Sequence, residues 1–408
     1  MDAIRNPYAP GAGTRPPELA GRDVIREKLR ISIERLRVGR PSKSIVMVGL
    51  RGVGKTVLLN RMLIDAETAG IHTAYAEAPE GRSLPSLLAP QLRSALLRIS
   101  RVEAAKDKAI RALRALTGFA RSLKVTYQDI EVGFDYEPEA GLADNGDLEG
   151  DLTTLLTQVG EAARGAETAL VIFIDELQYV VEEELAALIT ALHRVSQLSL
   201  PVTIVGAGLP QLRGRAGNAK SYAERLFDYP EIGPLEPPEA KVAFVKPSED
   251  EGVIVDPDAA DLVVTMTQGY PYFIQEWGKS SWDVASNDHI TVEDVRDASP
   301  LAIAALDESF FRVRFDRMTV AEKIFLRAMA DLGAGPHRSG DIAGRLGRTS
   351  QSLGPIRSSL ITKGMIWSPN HGDTAFTVPM FDQYMKRIMP GNDWQPPPVG
   401  AGTARKAP

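Results

Sequence analysis

The 408-residue chain is too long for one ordinary hydrophobic core, so two or three domains are expected. Its hydrophobic fraction of 44% and charged fraction of 25% are those of an average globular protein, which excludes wholesale disorder and collagen-like sequence. The lack of cysteine excludes disulfides, zinc–cysteine sites, iron–sulfur sites and thiol catalysis, and the net charge of −6 argues against a surface covered in phosphate-binding cations.

The first half of the chain alternates between strand and helix patterns. Residues 1–20 are rich in Pro and Gly and predict an extended N-terminal arm. The hydrophobic periodicity then predicts strands at 44–49, 71–76, 170–175 and 202–206, and helices at 23–36, 55–66, 84–99, 147–163 and 182–195. This alternation predicts an α/β domain over 21–236, in which a parallel sheet is covered by helices on both faces.

One segment interrupts this alternation, at residues 101–146. It begins with a helix, to residue 124, in which basic side chains outnumber acidic ones, so that the helix is either a solvated surface or a binding face. Two short alternating runs follow and predict an inserted β-hairpin; they are formed by Leu123, Val125 and Tyr127, and by Ile130, Val132, Phe134 and Tyr136.

The second half of the chain is predicted to be mainly helical. Helices are expected at 240–245, 259–267 and 271–284 within an all-helical domain over 237–315. Residues 316–389 predict three helices, at 319–332, 339–347 and 349–363, followed by a hairpin, which is the order of a winged helix-turn-helix. Residues 390–408 are rich in Pro and Gly and are expected to be a disordered tail.

A glycine-rich loop joins the first predicted strand to the second predicted helix. Its sequence, Gly49-Leu50-Arg51-Gly52-Val53-Gly54-Lys55-Thr56, fits the phosphate-binding pattern G-x-x-x-x-G-K-[ST]. The glycines let successive backbone N–H groups turn toward a triphosphate, with the positive end of the next helix behind them. Lys55 is expected to reach the β and γ phosphates and the Thr56 hydroxyl to bind Mg²⁺. The predicted ATP site comprises Gly49, Arg51, Gly52, Val53, Gly54, Lys55, Thr56 and Val57.

An acidic pair, Asp175 and Glu176, follows the apolar run at 170–174. Because the carboxyl ends of parallel strands meet at one edge of a sheet, this pair is expected beside the phosphate loop. Asp175 would hold Mg²⁺ through water, and Glu176 would orient and deprotonate the attacking water. Taken alone, two acids after a strand are also a common helix cap, and it is the combination with the loop that makes the prediction specific.

With these motifs the sequence resembles the AAA-like and STAND branch of P-loop ATPases, particularly archaeal ATPases and origin-recognition proteins, over roughly residues 17–390. Two further matches are Leu19-Ala20-Gly21-Arg22-Asp23 and Gly269-Tyr270-Pro271. The resemblance implies that Gly21 and Arg22 lie near adenine, and that Pro271 belongs to a helical lid that packs against the nucleotide. Alone, the first match is also an ordinary helix start and the second a plain turn between helices.

The sequence departs from this family's pattern at the residues that sense the γ-phosphate. The strand at 202–206 ends in Gly206-Ala207-Gly208, where related ATPases often place Asn, Ser or Thr. The lid helix carries Tyr272 and Gln275 in place of a clear arginine, so hydrolysis is expected to be slow or to need a partner. Arg225 follows that strand where oligomeric relatives place an arginine finger, and an ion pair with Glu224 or Asp228 is the more ordinary alternative.

The predicted winged helix has two interpretations. In a DNA reader its third helix enters the major groove, with Ser350, Gln351 and Ser352 facing bases and Arg348, Arg357 and Lys363 contacting phosphates. Winged helices in STAND-like proteins also serve as packing or partner-binding modules.

These observations predict an ATPase that binds Mg²⁺ and ATP or ADP, and whose nucleotide state controls engagement of DNA or a protein partner. A ring-forming motor or loader that uses Arg225 between copies of the chain is the first alternative, and a nucleotide-stabilised scaffold with little hydrolysis is the second. The apolar runs fall far short of the about 20 residues that a spanning helix needs, and the first residues lack the apolar core of a secretory signal. A cytoplasmic protein with no membrane partner is therefore expected.

Overall fold

The computed structural model describes residues 1–11, 16–123, 136–391 and 394. The chain divides into two compact units. The sheet unit comprises Leu19–Gly49 and Gly54–Ile232, and the helical unit comprises Met1–Glu18, Leu50–Val53 and the chain from Gly233 onward.

Five parallel strands form the centre of the sheet unit. They are β1 (Ser44–Val48), β2 (His72–Glu77), β3 (Leu170–Asp175), β4 (Val202–Gly208) and β5 (Phe227–Asp228), in the spatial order β2-β3-β4-β1-β5. Strands β1, β3 and β4 are buried along their whole length, as expected where helices cover both faces. Because the strands are parallel, their carboxyl ends meet at one edge, and the end of β4 lies between those of β1 and β3.

Helices cover this sheet. They are α1 (Asp23–Arg37), α2 (Lys55–Thr68), α3 (Leu84–Ile99), α4 (Lys106–Ser122), α5 (Leu148–Gly165), α6 (Glu182–Gln197), α7 (Leu212–Ala219) and α8 (Ala223–Leu226), with short 3₁₀ turns at Glu103–Ala105 and Leu177–Tyr179. The apolar faces of α3 to α8 share one core with the strands, in which Leu92, Leu116, Leu156 and Ile172 are fully buried. The predicted α/β class is thus confirmed.

The structure adds one strand to the four predicted in this unit. β5 has only two residues and pairs with the start of β1, so it is too short to show a periodic pattern in the sequence. The hairpin predicted after α4 falls on residues 124–135, which lie outside the described residues.

The first part of the helical unit consists of helices in sequence. They are α9 (Pro237–Asp250), α10 (Pro257–Thr267), α11 (Pro271–Val284), α12 (Val292–Leu306) and α13 (Arg312–Asp316), with a π-helical turn at Asp307–Phe311 and two short parallel strands, β6 (Ile254–Val255) and β7 (His289–Ile290). Helix α12 was not predicted, because Ser299 and Pro300 interrupt its apolar pattern. Among the described residues, no helix combines the length and the apolar character that a membrane crossing requires.

The second part of the helical unit combines helices with a small antiparallel sheet. Its elements are α14 (Val320–Asp331), β8 (His337–Arg338), α15 (Ser339–Arg345), α16 (Ser350–Thr362), β9 (Ile366–Trp367), β10 (Asp373–Phe376) and α17 (Phe381–Ile388), with the strand order β8-β10-β9. A capping box fixes the start of α14, because Thr319 and Glu322 satisfy each other's backbone N–H groups. The three predicted helices are present, and the winged-helix assignment itself stays a prediction.

The N-terminal arm belongs to the helical unit. The Tyr8 hydroxyl donates to the carbonyl oxygen of Phe244 and lies 2.7 Å from Ser248 Oγ, and burial raises the pKa of this phenol. The Tyr8 ring lies so close to α11 that a Cβ atom on Gly278 would overlap it. The Tyr8 side chain thus packs the arm against α11, and this packing requires glycine at position 278.

One residue of the predicted tail is also packed. Trp394 is 8% exposed and lies beside two guanidinium groups, with Arg327 and Arg345 at 5.0 and 5.5 Å from its ring centroid. The expectation of disorder is therefore wrong for Trp394, because its indole ring is buried and interacts with the guanidinium groups of Arg327 and Arg345. Residues 392, 393 and 395–408 lie outside the described residues.

Candidate functional site

The glycine-rich loop joins β1 to α2 as predicted. Gly52 has φ = 81° and Gly54 has φ = 87°, a backbone region that favours glycine, and Gly54 directly precedes the first residue of α2. Lys55 begins this helix, and its ammonium group donates a hydrogen bond to the Gly49 carbonyl oxygen at 2.9 Å. The lysine side chain therefore folds back along the loop, on the side of the helix N-terminus.

The middle of the loop, Leu50–Val53, belongs to the helical unit, where it makes backbone contacts. The Arg51 amide donates to the Thr377 carbonyl oxygen at 3.0 Å, and the Tyr272 amide donates to the Gly52 carbonyl oxygen at 3.3 Å. A Cβ atom on Gly52 would lie 3.6 Å from Phe310 and Tyr272. The Arg51 amide was predicted to donate to a phosphate, whereas in this structure it donates to the carbonyl oxygen of Thr377.

The acidic pair ends β3 beside the start of α2. The side chain of Asp175 is buried and accepts a hydrogen bond from the Thr56 side chain. Burial and the neighbouring charge of Glu176 raise the pKa of Asp175, while the Thr56 bond, the Glu176 amide at 2.8 Å and the Lys55 charge act in the opposite direction. The structure thus brings Lys55 and Thr56 close to Asp175 and Glu176, although the two pairs are far apart in the sequence.

These oxygen atoms fit a magnesium ion. Mg²⁺ prefers hard oxygen ligands and keeps several waters, so it needs only one or two protein side chains. The Thr56 hydroxyl and the Asp175 carboxylate are in hydrogen-bond contact, at the point where the loop lysine begins a helix. A hydroxyl and a buried carboxylate held this close are a suitable donor set for the ion.

A residue that sequence reasoning missed lies between the acidic pair and the end of β4. Gln178, in the turn Leu177–Tyr179, donates from Nε2 to the Glu176 carboxylate and accepts at Oε1 from the Leu209 amide at 3.1 Å. A Cβ atom on Gly208 would lie 2.7 Å from that Oε1. The only signal in the sequence is the spacing Asp175-Glu176-x-Gln178.

Two arginines follow β4 and have different surroundings. Arg215, on α7, donates to the carbonyl oxygens of Gln178 and Val180, the latter at 2.8 Å. Arg225 is exposed, and no ion pair involves it within the described ranges. The expected partner Asp228 is instead paired with Lys28. The ion-pair explanation of Arg225 is therefore wrong.

The two glycine motifs assigned to the nucleotide, one expected near adenine and the other in the helical lid, lie in different units. Gly21 has φ = 67° and Arg22, 9% exposed, immediately precedes α1 in the sheet unit. Pro271 is the first residue of α11 in the helical unit, after Gly269, whose φ is 72°. A Cβ atom on Gly269 would collide with the Leu235 carbonyl oxygen, so this turn requires glycine for its own packing.

The start of α16 is exposed, whereas two of its predicted phosphate contacts are not free. Arg348, Ser350, Gln351 and Ser352 are exposed. Arg357 donates to Thr374 Oγ1 and to the Asp373 carbonyl oxygen, both at 3.0 Å, and Lys363 pairs with Glu322 at 2.8 Å. Arg357 and Lys363 therefore stabilise the module, which corrects their prediction as DNA contacts.

The basic helix, α4, is largely neutralised by acids from other segments. Its ion pairs are Lys106–Glu103, Lys108–Glu161, Arg111–Glu139 and Arg121–Glu137. Such exposed pairs contribute little to stability, but they place an acidic side chain beside each of these four cations. Of the two interpretations of this face, the solvated one agrees with the structure.

Two family models match the chain. That of the AAA ATPase domain matches residues 18–205, and that of a domain of unknown function (DUF8462) matches residues 308–385. The first match includes the loop, the acidic pair and Gln178. A comparison with curated proteins finds no match.

Several solved structures are similar to this chain. The Walker-type ATPase PABY2304 of Pyrococcus abyssi aligns over 91% of this chain and 97% of its own, with 13% identity and a TM-score of 0.55. The Orc1 protein of Aeropyrum pernix in complex with DNA has 15% identity over 91% and 94%, with a TM-score of 0.45. The RuvB Holliday junction branch migration motor of Thermotoga maritima has 16% identity over 92% and 99%, with a TM-score of 0.43. The first similarity confirms the predicted P-loop NTPase fold.

Proposed function

We propose, because residues 18–205 match the family model of the AAA ATPase domain, that the chain binds Mg²⁺ and ATP at the glycine-rich loop and hydrolyses the ATP. One observation carries the proposal: the side chains of Thr56 and Asp175 are in contact, with Lys55 and Glu176 next to them in sequence. A loop lysine, a hydroxyl, a buried carboxylate and a second carboxylate at one sheet edge are the groups that phosphoryl transfer to water requires.

Each of these residues has its own task in the proposed reaction. Lys55 contacts the β and γ phosphates, and Thr56 and Asp175 hold Mg²⁺, which neutralises phosphate charge when bound. Glu176 takes a proton from water as the water oxygen bonds to the γ-phosphorus. The bond from that phosphorus to the bridging oxygen breaks, and ADP and inorganic phosphate are the products.

The Arg51 amide supports a switch. It donates to Thr377 in the helical unit, and one N–H group cannot make full hydrogen bonds to Thr377 and to a phosphate at once. Phosphate binding and the Thr377 contact therefore compete, which is the differential contact that a nucleotide switch requires. Through this competition the nucleotide state would change how the helical unit engages a partner.

DNA is the partner that we propose to test first, since Gln351 in the first turn of α16 and Arg348 just before this helix are both exposed. A protein partner is the other candidate for the same surface. Exposed Arg225 supports a third possibility, assembly with further copies of the chain, and sizing with a slowly hydrolysed ATP analogue tests it. A monomer with and without the analogue would leave Arg225 without a role between subunits.

The test of the ATPase proposal compares two variants of the full chain. Lys55→Ala should abolish binding of a fluorescent ATP analogue in the presence of Mg²⁺, whereas Glu176→Gln should bind it like the wild type and release no phosphate. Wild-type binding without turnover, with every partner tried, would favour the scaffold alternative. Wild-type chain that binds no ATP would refute the proposal.

The switch has a separate test, by hydrogen exchange. Adding Mg²⁺ and ATP should change the exchange of peptides that contain Thr377, because the Arg51 contact is replaced. The same addition to Lys55→Ala should change nothing. Identical exchange with and without nucleotide in a wild-type chain that binds ATP would reject the switch and leave the ATPase proposal intact.

A further inference from the structure

The end of β4 offers no polar side chain to the site. Its last residues are Gly206, Ala207 and Gly208, all buried, although the strand order places this end between the phosphate loop and the acidic pair. Any polar group at this position must therefore come from a neighbouring segment. Gln178 is such a group, since its Oε1 accepts from the amide of Leu209, the residue after β4.

We propose that Gln178 is a positioning residue for the hydrolysis described above: its side-chain amide ties the Glu176 carboxylate to the end of β4 and so aims the base. The inference rests on the proposed ATPase function. The turn after the acidic pair would thus supply the polar side chain that orients Glu176. The end of β4, Gly206-Ala207-Gly208, has no polar side chain of its own.

Both ends of the Gln178 amide are used, which fixes its orientation. Oε1 faces a backbone N–H at Leu209, a group that can only donate, and Nε2 faces a carboxylate oxygen of Glu176, which accepts. Exchanging the amide oxygen and nitrogen would place two donors together at one end and two acceptors at the other. The network therefore permits one orientation, and Gln178 is only 6% exposed, so water does not compete.

The turn that carries this amide is also held. Glu176 has φ = 53°, a left-handed conformation that is unfavourable for a non-glycine residue and persists where its surroundings fix it. Arg215 supplies such a constraint, because its guanidinium donates to the carbonyl oxygens of Gln178 and Val180. The backbone of the turn, at Gln178 and Val180, is thus held by contacts that do not involve the Gln178 side chain.

The consequence for Glu176 is a restricted carboxylate. A free glutamate side chain has many rotamers, and ordering it costs conformational entropy. Gln178 holds one carboxylate oxygen and leaves the other to accept a proton from water. Since a misplacement of about 1 Å can cost about 100-fold in rate, loss of this contact should lower kcat by about 10- to 100-fold with nucleotide affinity unchanged.

Two substitutions of Gln178 separate its two contacts in the full chain. Gln178→Glu keeps an acceptor for the Leu209 amide but has no donor for Glu176, whereas Gln178→Ala loses both. Both variants should bind the fluorescent ATP analogue like the wild type and show the reduced kcat. Hydrogen exchange without nucleotide gives a second readout, since the Leu209 amide should lose protection in Gln178→Ala and keep it in Gln178→Glu.

A third variant displaces Gln178 without changing it. Gly208→Ala places a methyl group 2.7 Å from Gln178 Oε1 and 2.8 Å from Leu212 Cδ2, both movable side-chain atoms, so the amide should shift and kcat should fall. Gly217→Ala, on α7, is the control, because a methyl group there has no other atom within 4 Å. The control should retain the wild-type kcat.

The outcomes separate this inference from the function on which it rests. Wild-type turnover that depends on Glu176, together with unchanged kcat in Gln178→Ala and Gln178→Glu, would overturn the role of Gln178 alone. A higher kcat in these variants would overturn it too, because Gln178 would then restrain the base rather than aim it. A wild-type chain without turnover that depends on Glu176 would reject the ATPase function and this inference together.

Discussion

The Thr56 side chain donates a hydrogen bond to the Asp175 carboxylate, and this contact joins the start of α2 to the end of β3. The two residues are distant in sequence and belong to the two motifs from which a magnesium site was predicted. Their contact means that the hydroxyl and the carboxylate are already close enough to share one cation.

Thr56→Val tests the hydroxyl of this pair. Valine keeps the branched shape but cannot donate to Asp175 or bind Mg²⁺, and losing a hydrogen bond to a charged group costs about 1.5–3 kcal/mol. Calorimetry should therefore show Mg²⁺-dependent ATP affinity reduced by about 10- to 100-fold, with little change in metal-free binding. Thr56→Ser keeps the hydroxyl and is the control. Equal Mg²⁺ dependence in Thr56→Val and the wild type would contradict the assignment.

The sequence was sufficient to predict this part of the site because its chemistry is local. Glycines at positive φ, a lysine at a helix start and acids at a strand end each leave a pattern within a few residues. Gln178 was missed because its role depends on Leu209, which the fold alone brings near. Arg357 and Lys363 were assigned to phosphate for the same reason, since their acceptors Thr374 and Glu322 lie on other elements.

In the fold too, elements with a regular local sequence pattern were predicted, and those without one were missed. Long strands and helices follow from hydrophobic periodicity, which is why the parallel sheet was predicted with nearly correct bounds. Elements were missed where the pattern is short or interrupted, as in the two-residue strand β5 and in α12, which contains Pro300. The docking of Tyr8 and Trp394 was also missed, because a Pro- and Gly-rich segment carries no periodic signal of what it packs against.

Asp175→Asn should stabilise the nucleotide-free chain at about pH 7. Burial raises the pKa of Asp175, so its ionised form is less favourable in the folded chain than in the unfolded one, and asparagine removes that cost. Scanning calorimetry should show a higher Tm, by about 2–4 °C per kcal/mol gained. The difference should disappear in acid, where wild-type Asp175 takes up a proton.

The control for this measurement is Asp65→Asn, which removes a carboxylate paired with Arg26 at 2.8 Å on the surface of the same unit. This change should leave Tm unchanged or lower it. A lower Tm in Asp175→Asn than in the wild type would show that the Thr56 and Lys55 interactions outweigh the burial of this carboxylate.

Glu322 should give the helical unit an acid-sensitive region. Burial acts to raise its pKa, but hydrogen bonds from Lys363, Ser359 and Thr319 prevail and lower it to about 2. A depressed carboxyl pKa contributes stability above the ordinary value of 4.5, and this stability is lost as the pH falls toward about 2. Hydrogen exchange in α14 and α16 should accelerate over that window.

Glu322→Gln should remove this pH dependence and, near neutral pH, reduce the local stability by roughly 2 kcal/mol. The control is Glu308→Gln, at an exposed position of the same unit, which should leave the exchange of α14 and α16 unchanged. If Glu322→Gln had the acid sensitivity of the wild type, another group would be responsible for it.

Arg348→Ala tests the DNA proposal at the exposed start of α16. An arginine that contacts a phosphate contributes to affinity for every sequence, so its loss should weaken duplex binding uniformly and reduce the slope of log affinity against log salt by about 1. Gln351→Ala should instead change the sequence preference, because glutamine reads base edges. Fluorescence anisotropy at several salt concentrations measures both effects.

Two controls separate DNA contact from module stability. Arg357→Ala should lower the stability of the module, since this side chain is bonded to Thr374 and Asp373. A chain ending at Asp316 should bind ATP and lose its affinity for DNA. Equal duplex binding by this shortened chain and the wild type would exclude the module as the DNA surface.

Gly278→Ala should release the N-terminal arm. Its methyl group would overlap the Tyr8 ring, and such overpacking costs about 1–3 kcal/mol. Arg5, paired with Glu251 at 3.1 Å in the wild type, should then become a site of rapid trypsin cleavage. Ser280→Ala removes an oxygen two positions along α11 without adding volume, so its cleavage rate should remain that of the wild type.

A double-mutant cycle assigns this effect to the ring itself. Tyr8→Ala should by itself accelerate cleavage at Arg5, because the hydroxyl bond to Phe244 and the ring packing are lost. If the methyl group acts only through the ring, adding Gly278→Ala to Tyr8→Ala should cause no further acceleration, and the coupling energy should nearly equal the cost of Gly278→Ala alone. Additive effects would mean that Gly278→Ala disturbs α11 rather than the arm.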